Sequence, residues 1–158
     1  MSVAASTANA YLRTRVMTAS REELRLLLLE GAIKFTRQAR EGLIARNFEQ
    51  VFNGTDNARN IVMELITTIR SEPNPELADQ VRALYTFLYV RLTEASFEKD
   101  LAKFDEVLGL LDYERETWIM LMNKLAAERG DAPAEPASLN PAKETPAPAR
   151  RGPLSIEG

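Results

Sequence analysis

The stretch TASREELRLLLLEGAIKF, residues 18–35, decides the predicted fold. Ser20 and Glu23 have the spacing of a capping box, in which each side chain bonds a free backbone amide of the first helical turn. A long helix is therefore predicted to begin near Arg21. The run of leucines that follows is too rich to be buried on one face of that helix.

The apolar residues of this first predicted helix fall on two sides. At about 100° per residue, one stripe faces the expected core and a second lies roughly opposite. The first stripe holds Leu24, Leu28, Gly31, Phe35, Ala39 and Gly42, and the second holds Leu26, Leu29 and Ile33. One core cannot bury both stripes. We expect the second stripe to be covered either by another part of this chain or by a partner.

Three further segments show helical periodicity, and each has a recognisable start. Asn47 can cap the second helix, which ends before Pro73. Asn74 can cap the third, with Pro75 at the first helical position, and Asp100 can cap the fourth. No segment alternates with a period of two for long enough to be a strand. Because short connections join antiparallel neighbours, we predict an all-α fold, an up-down-up-down four-helix bundle.

The inward stripes and the boundaries follow from the same pattern. Residues 19–130 are predicted to form the bundle, residues 1–18 an N-terminal strap across it, and residues 131–158, with six of the eight prolines, a disordered tail. The residues predicted to face inward include Phe48, Val51, Phe52, Ala58, Val62, Leu65, Ile66, Ile69, Leu77, Val81, Leu84, Leu88, Leu92, Ala95, Phe104, Val107, Leu108, Leu111, Trp118, Met122 and Leu125.

Composition excludes several classes of function. The net charge of −3 and the pI near 5.2 give no basic footprint for nucleic acid or an anionic membrane. The chain has no Cys and no His, so thiolate and imidazole metal sites and the usual proton shuttle are missing. We therefore expect no metal and no cofactor. With no apolar run of membrane-spanning length, a cytoplasmic protein is the simplest interpretation.

Three arginines lie near the inward columns of their predicted helices: Arg59, Arg91 and Arg115. A buried cation needs a partner. An antiparallel arrangement places Arg115 near the level of Glu30 and Arg91 near Asp56, with Glu94 three residues beyond Arg91. Structural ion pairs are the plain interpretation. The alternative is an enzyme of chorismate-mutase type, in which interior arginines bind a dianionic substrate.

The order of several motifs resembles the FliS family of flagellar export chaperones. In this sequence they are Ala10-Tyr11, Val16, Thr18-Ala19-Ser20, Glu23-Leu24, residues 30–35, Leu84-Tyr85, Leu88-Tyr89, Arg91-Leu92, Glu94-Ala95, Lys99-Asp100, residues 106–111, Arg115 and Thr117-Trp118. The resemblance covers about residues 10–122. This sequence departs from the family pattern at Arg21, where the family usually has Pro, and at Leu29-Glu30, where Tyr-Asp is common.

The resemblance implies a non-enzymatic chaperone that binds the disordered C-terminal segment of newly made flagellin in the cytoplasm. Such a chaperone prevents premature polymerisation and delivers its client to a component of the flagellar type III export gate. The resemblance leaves open whether the chain forms a homodimer. A structural helical adaptor that uses its tail as a tether is a further alternative.

Seven residues are predicted to contact the client: Tyr11, Val16, Leu26, Leu29, Ile33, Tyr85 and Tyr89. The second stripe of the first helix suits helix-in-groove recognition. A strap carrying Tyr11 and Val16 could cover that stripe until a client displaces it. Equally, the stripe could pack permanently beneath the strap or a loop, and the two tyrosines of the third helix could be residues of the core rim.

Overall fold

A computed structural model describes residues 3–130, with side chains from residue 9 onward, and all its regular structure is helical. The helices are α1 Val3–Thr18, α2 Arg21–Ile44, α3 Phe48–Thr67, α4 Pro75–Glu98 and α5 Leu101–Arg129. The predicted all-α class is confirmed. The described residues form five helices and not four, because the expected strap segment contains a helix of its own. The predicted tail, residues 131–158, lies outside the described residues.

The four predicted helix starts are all present. Ser20 accepts a hydrogen bond from the Glu23 amide at 3.2 Å, and the Glu23 carboxylate accepts one from the Ser20 amide at 3.1 Å. The side chains of Asn47, Asn74 and Asp100 each accept a hydrogen bond from a backbone amide, at the starts of α3, α4 and α5 respectively. Local chemistry between a side chain and nearby amides therefore sets these boundaries.

Each of the four longer helices packs against two others. α2 contacts α3 and α5, and α4 contacts the same two helices. α2 and α3 approach most closely at Gly54, where an added Cβ would lie 2.7 Å from the Ala39 nitrogen and 2.8 Å from the Phe35 carbonyl oxygen. The core between the helices is built on large, fully buried side chains: Leu29, Val62, Leu65, Tyr85, Leu88, Leu92, Phe104, Val107 and Leu111.

The predicted phase of α2 is wrong in the first half of the helix, although Ala39 and Gly42 of the expected core stripe are buried as predicted. Leu26, Leu29 and Ile33 are buried, and the last two belong to the core, whereas Leu24 and Leu28 of the expected core stripe are only half-buried. The physical reason is that α2 packs against two helices on different sides. Its buried residues therefore spread over a wide arc, and the neighbours decide where that arc is centred.

Four other predicted core residues lie at the surface, among them Leu125 near the end of α5, which is 36% exposed. Phe48 and Phe52 in the first turns of α3 and Leu77 in the first turn of α4 are exposed, because the ends of these helices are not covered by a neighbour. Trp118 is half-buried and packs against the core from its edge. Within residues 3–130, no helix combines the length and the apolar character that crossing a membrane requires.

Candidate partner-binding site

An open groove of about 440 Å³ runs between the start of α3 and the end of α4. Three phenylalanines dominate it: Phe97 is 86% exposed, Phe52 60% and Phe48 48%. Its other lining residues are Val51, Thr55, Arg59, Thr93, Ser96 and Lys99. We call this surface the phenylalanine groove. Clustered exposed aromatic side chains are typical of surfaces that bind another protein.

The turn between α4 and α5 forms one end of the phenylalanine groove. Lys99 adopts the left-handed conformation, with φ of 52°, and its amide bonds the Ala95 carbonyl to end α4. Asp100 then caps α5. This turn brings the Lys99 ammonium to 5.0 Å from the centre of the Phe48 ring. A cation is thereby held against an aromatic face at the groove's end.

The polar groups of the groove offer donors but no negative charge. Arg59 bonds Thr93 and lies 3.3 Å from Asp56, while its Nε atom has no hydrogen-bond partner. Thr55 is buried, and its hydroxyl is also unpartnered. Of the described residues that line the groove, none is acidic. The groove is therefore suited to an apolar segment that brings hydrogen-bond acceptors or a carboxylate.

The structure does not bring the seven predicted contact residues together on one surface. Tyr11 and Val16 are exposed on α1, and Tyr89 is half-buried at the edge of the core. The other four are buried: Leu26, Leu29, Ile33 and Tyr85. The expectation that the second leucine stripe faces away from the core is therefore wrong.

Tyr85 is a hydrogen-bonding centre inside the protein. Its hydroxyl accepts a hydrogen bond from Arg25 Nη2 at 2.7 Å and donates one to Glu114 Oε2 at 3.2 Å. Burial raises the pKa of Tyr85 to about 12, against the opposing effect of the Arg25 charge. The arrangement links α2, α4 and α5. These hydrogen bonds give Tyr85 a structural role, whereas the sequence allowed either a client contact or a place at the core rim.

The interior arginines are paired. Arg115 Nε lies 3.2 Å from Glu30, and Arg91 lies 2.9 Å from Glu94 and 3.3 Å from Glu106. The predicted meetings of Arg115 with Glu30 and of Arg91 with Glu94 are confirmed. Asp56 pairs with Arg59, three residues further along the same helix. The expected proximity of Arg91 to Asp56 is therefore not observed as an ion pair.

Sequence reasoning missed the phenylalanine groove. It placed Phe48 and Phe52 in the core and did not single out Phe97. Periodicity alone marks an apolar residue as facing a packed surface without saying whether that surface belongs to the same chain. The position of Phe97 could have indicated the groove. It lies just before the predicted Asp100 cap, and side chains at the end of a helix are often left exposed.

Comparison with known proteins places the chain in a family. A family described as "Flagellar protein FliS" matches residues 4–125. The flagellar secretion chaperone FliS of Bacillus subtilis is 33% identical over 109 residues, which cover 69% of this chain and 80% of the relative. The flagellar secretion chaperone FliS of Campylobacter jejuni is 27% identical over 110 residues, which cover 70% of this chain and 86% of the relative. The flagellar secretion chaperone FliSB of Pseudomonas aeruginosa is 28% identical over 107 residues, covering 68% and 85%. The chain belongs to the FliS family of flagellar proteins.

Proposed function

We propose that this protein is a cytoplasmic chaperone of flagellar secretion that binds the disordered C-terminal segment of flagellin. It keeps flagellin from polymerising early and delivers it to the type III export apparatus. The names of its relatives, flagellar secretion chaperones, support the chaperone role. The observation that carries client binding is the phenylalanine groove, an apolar surface that the described part of the chain, residues 3–130, leaves uncovered.

The groove can supply the affinity that a disordered client needs. Full burial of a large apolar side chain contributes about 1.5–3 kcal/mol, and three phenylalanines are available. Ordering the client opposes this gain, so only the surplus appears as affinity. An amphipathic helix that inserts aliphatic anchors between Phe52 and Phe97 fits the geometry.

The proposed working unit is an antiparallel four-helix bundle of α2 to α5, residues 19–130, with α1 in residues 1–18 as an outer strap. The pairwise packing of α2, α3, α4 and α5 supports this arrangement. Tyr11 and Val16 on α1 and Tyr89 on α4 are proposed as further client contacts. Leu26, Leu29, Ile33 and Tyr85 would act from inside by holding the helices that form the groove.

The proposal assigns the protein no enzymatic activity. An enzyme of chorismate-mutase type needs arginines that are free to bind a dianion. Arg59, Arg91 and Arg115 each have a carboxylate within 3.3 Å. Their positive charges are therefore already balanced by the protein's own residues.

The test is a calorimetric titration of the purified protein with the C-terminal segment of flagellin from the same organism. A segment of the same composition in shuffled order is the matched control. We expect saturable binding of the native segment alone, with a gain in helical circular dichroism. Seeded flagellin polymerisation, followed by light scattering, should slow when the chaperone is added. Equal binding of both segments, or none, would contradict flagellin as the client. Analytical ultracentrifugation of the free and bound protein decides between monomer and homodimer.

A further inference from the structure

A second cleft, of about 560 Å³, lies between the start of α2, the end of α3 and α5. Its apolar lining comes from Leu24, Ile69 and Trp118, and its charged lining from Arg21, Arg25, Arg70 and Glu22. We call it the arginine cleft. It lies towards the opposite end of α3 from the phenylalanine groove, whose lining on that helix ends at Arg59, whereas the cleft begins at Thr67, about 12 Å further along the helix axis.

Arg25 is held in a fixed position at the arginine cleft. Its guanidinium lies 4.8 Å from the centre of the Trp118 ring and 5.4 Å from that of Tyr85, and it donates to the Tyr85 hydroxyl at 2.7 Å. Its Nε atom is buried without a hydrogen-bond partner. Because this Nε atom is closed off from solvent, Arg25 acts on a ligand in the cleft through the fixed position of its charge.

The charge around the arginine cleft is unbalanced. Among the residues that the structure describes, neither Arg21 nor Arg70 is in an ion pair, and Glu22 is the one acidic residue of the lining. The lining thus holds three arginines and one acidic residue, in a chain whose net charge is −3. The local field favours a negatively charged ligand.

We propose that the arginine cleft binds a protein segment in which a carboxylate side chain stands beside aliphatic side chains. The aliphatic groups would pack on Leu24, Ile69 and Trp118, while the carboxylate bonds the arginines. A small free anion fits less well, because Arg21, Thr67, Thr68 and Arg70 are exposed and leave the rim in water. The apolar floor supplies the surface that a small anion cannot use. This site stands independently of flagellin as the client.

The experiment uses Trp118, the chain's single tryptophan, whose indole N–H donates to the Glu22 carbonyl at 2.9 Å. The ¹⁵N-labelled full chain is titrated with the peptide acetyl-Leu-Glu-Leu-Leu-amide and, as a matched control, with its Glu-to-Gln analogue. We expect the indole N–H resonance to shift saturably with the acidic peptide. The Gln analogue should bind at least about threefold more weakly, because it lacks the charge.

Variants locate the binding. The double variant Arg21→Gln with Arg70→Gln should bind the acidic peptide at least about threefold more weakly. Both arginines are exposed, so their substitution should leave the core undisturbed. Arg13→Gln, exposed on α1, is the control and should bind as the native chain does. Addition of 0.5 M NaCl should also reduce binding. Equal affinity for the Glu and Gln peptides, an unmoved indole resonance, or native affinity in the double variant would each overturn the proposal. A Phe97→Ser variant should leave this binding intact, which separates failure here from failure of the phenylalanine groove.

Discussion

Arg115 Nε lies 3.2 Å from Glu30 Oε1, joining α5 to α2 across 85 positions of sequence. The Glu30 side chain is 6% exposed, and its second oxygen, Oε2, has no hydrogen-bond partner. Burial raises the pKa of Glu30, whereas the charge and hydrogen bond of Arg115, and more weakly the charge of Arg15, lower it. Arg115 is therefore the main group that makes a buried carboxylate tolerable at this place.

Arg115→Ala should destabilise the protein by about 2–3 kcal/mol at neutral pH. This is less than the ~3–5 kcal/mol of a fully buried pair, because Arg115 is itself 30% exposed. Urea denaturation measures the change. The double variant Arg115→Ala with Glu30→Gln should recover most of the loss, since no buried charge remains. An additive double variant would mean that the two residues do not interact.

The same variant should show a distinctive pH dependence. Without Arg115, desolvation raises the pKa of Glu30 further above its unfolded value of 4.5, so the folded state binds the proton more tightly than the unfolded state. The stability deficit of Arg115→Ala should then shrink as the pH falls toward 4.5. Midpoints of urea denaturation between pH 4.5 and 8 measure this. A deficit that does not depend on pH would show that Glu30 is not its cause.

Tyr85→Phe should destabilise the protein by about 1–2 kcal/mol near neutral pH, because two hydrogen bonds are lost inside the protein. At alkaline pH the difference in the free energy of unfolding between the native protein and Tyr85→Phe should become smaller. The pKa of Tyr85 is about 12 in the folded protein, against 10.0 ordinarily, so its contribution is complete below pH 10 and is lost as the pH rises toward 12. Denaturation midpoints from pH 8 to 11.5 test this. Tyr113→Phe, at an exposed position, is the control. Its stability should fall with rising pH in the same way as that of the native protein.

Two glycines in helices should respond in opposite directions to alanine. Gly54→Ala should destabilise the protein by about 1–3 kcal/mol, because the new Cβ would meet the α2 backbone at 2.7 Å and backbone atoms cannot move aside cheaply. Gly109→Ala should stabilise it by about 0.5–1 kcal/mol, because nothing lies within 4 Å and alanine favours the helix. Thermal melts of both variants provide the comparison. A harmless Gly54→Ala would mean that α2 and α3 are further apart than described.

Helix starts were predictable from the sequence because capping is local. Ser20 and Glu23 satisfy each other's backbone amides within a single turn, and no distant residue is needed. The Arg115–Glu30 pair was also predictable, because antiparallel neighbours with short turns fix which levels meet. These two kinds of information establish the helical class and part of the packing register.

Burial around α2 could not be predicted in the same way. Leu24 and Leu29 are chemically identical, and both stripes have helical spacing, so only the positions of α3 and α5 decide which one is buried. Phe52 and Phe97 show the same limit from the other side. A core and a partner groove both require apolar residues at helical spacing, and periodicity cannot distinguish the two.

The phenylalanine groove is tested most directly by a double variant, Phe52→Ser with Phe97→Ser, titrated calorimetrically with the flagellin C-terminal segment. Both side chains are exposed, so the variant should keep the native melting temperature. Because the client would bury both aromatic side chains, their loss should weaken client binding at least about tenfold. Tyr113→Ser, an exposed aromatic on α5, is the matched control and should bind as the native protein does. Native affinity in the folded Phe52 and Phe97 variant would contradict the phenylalanine groove as the client site.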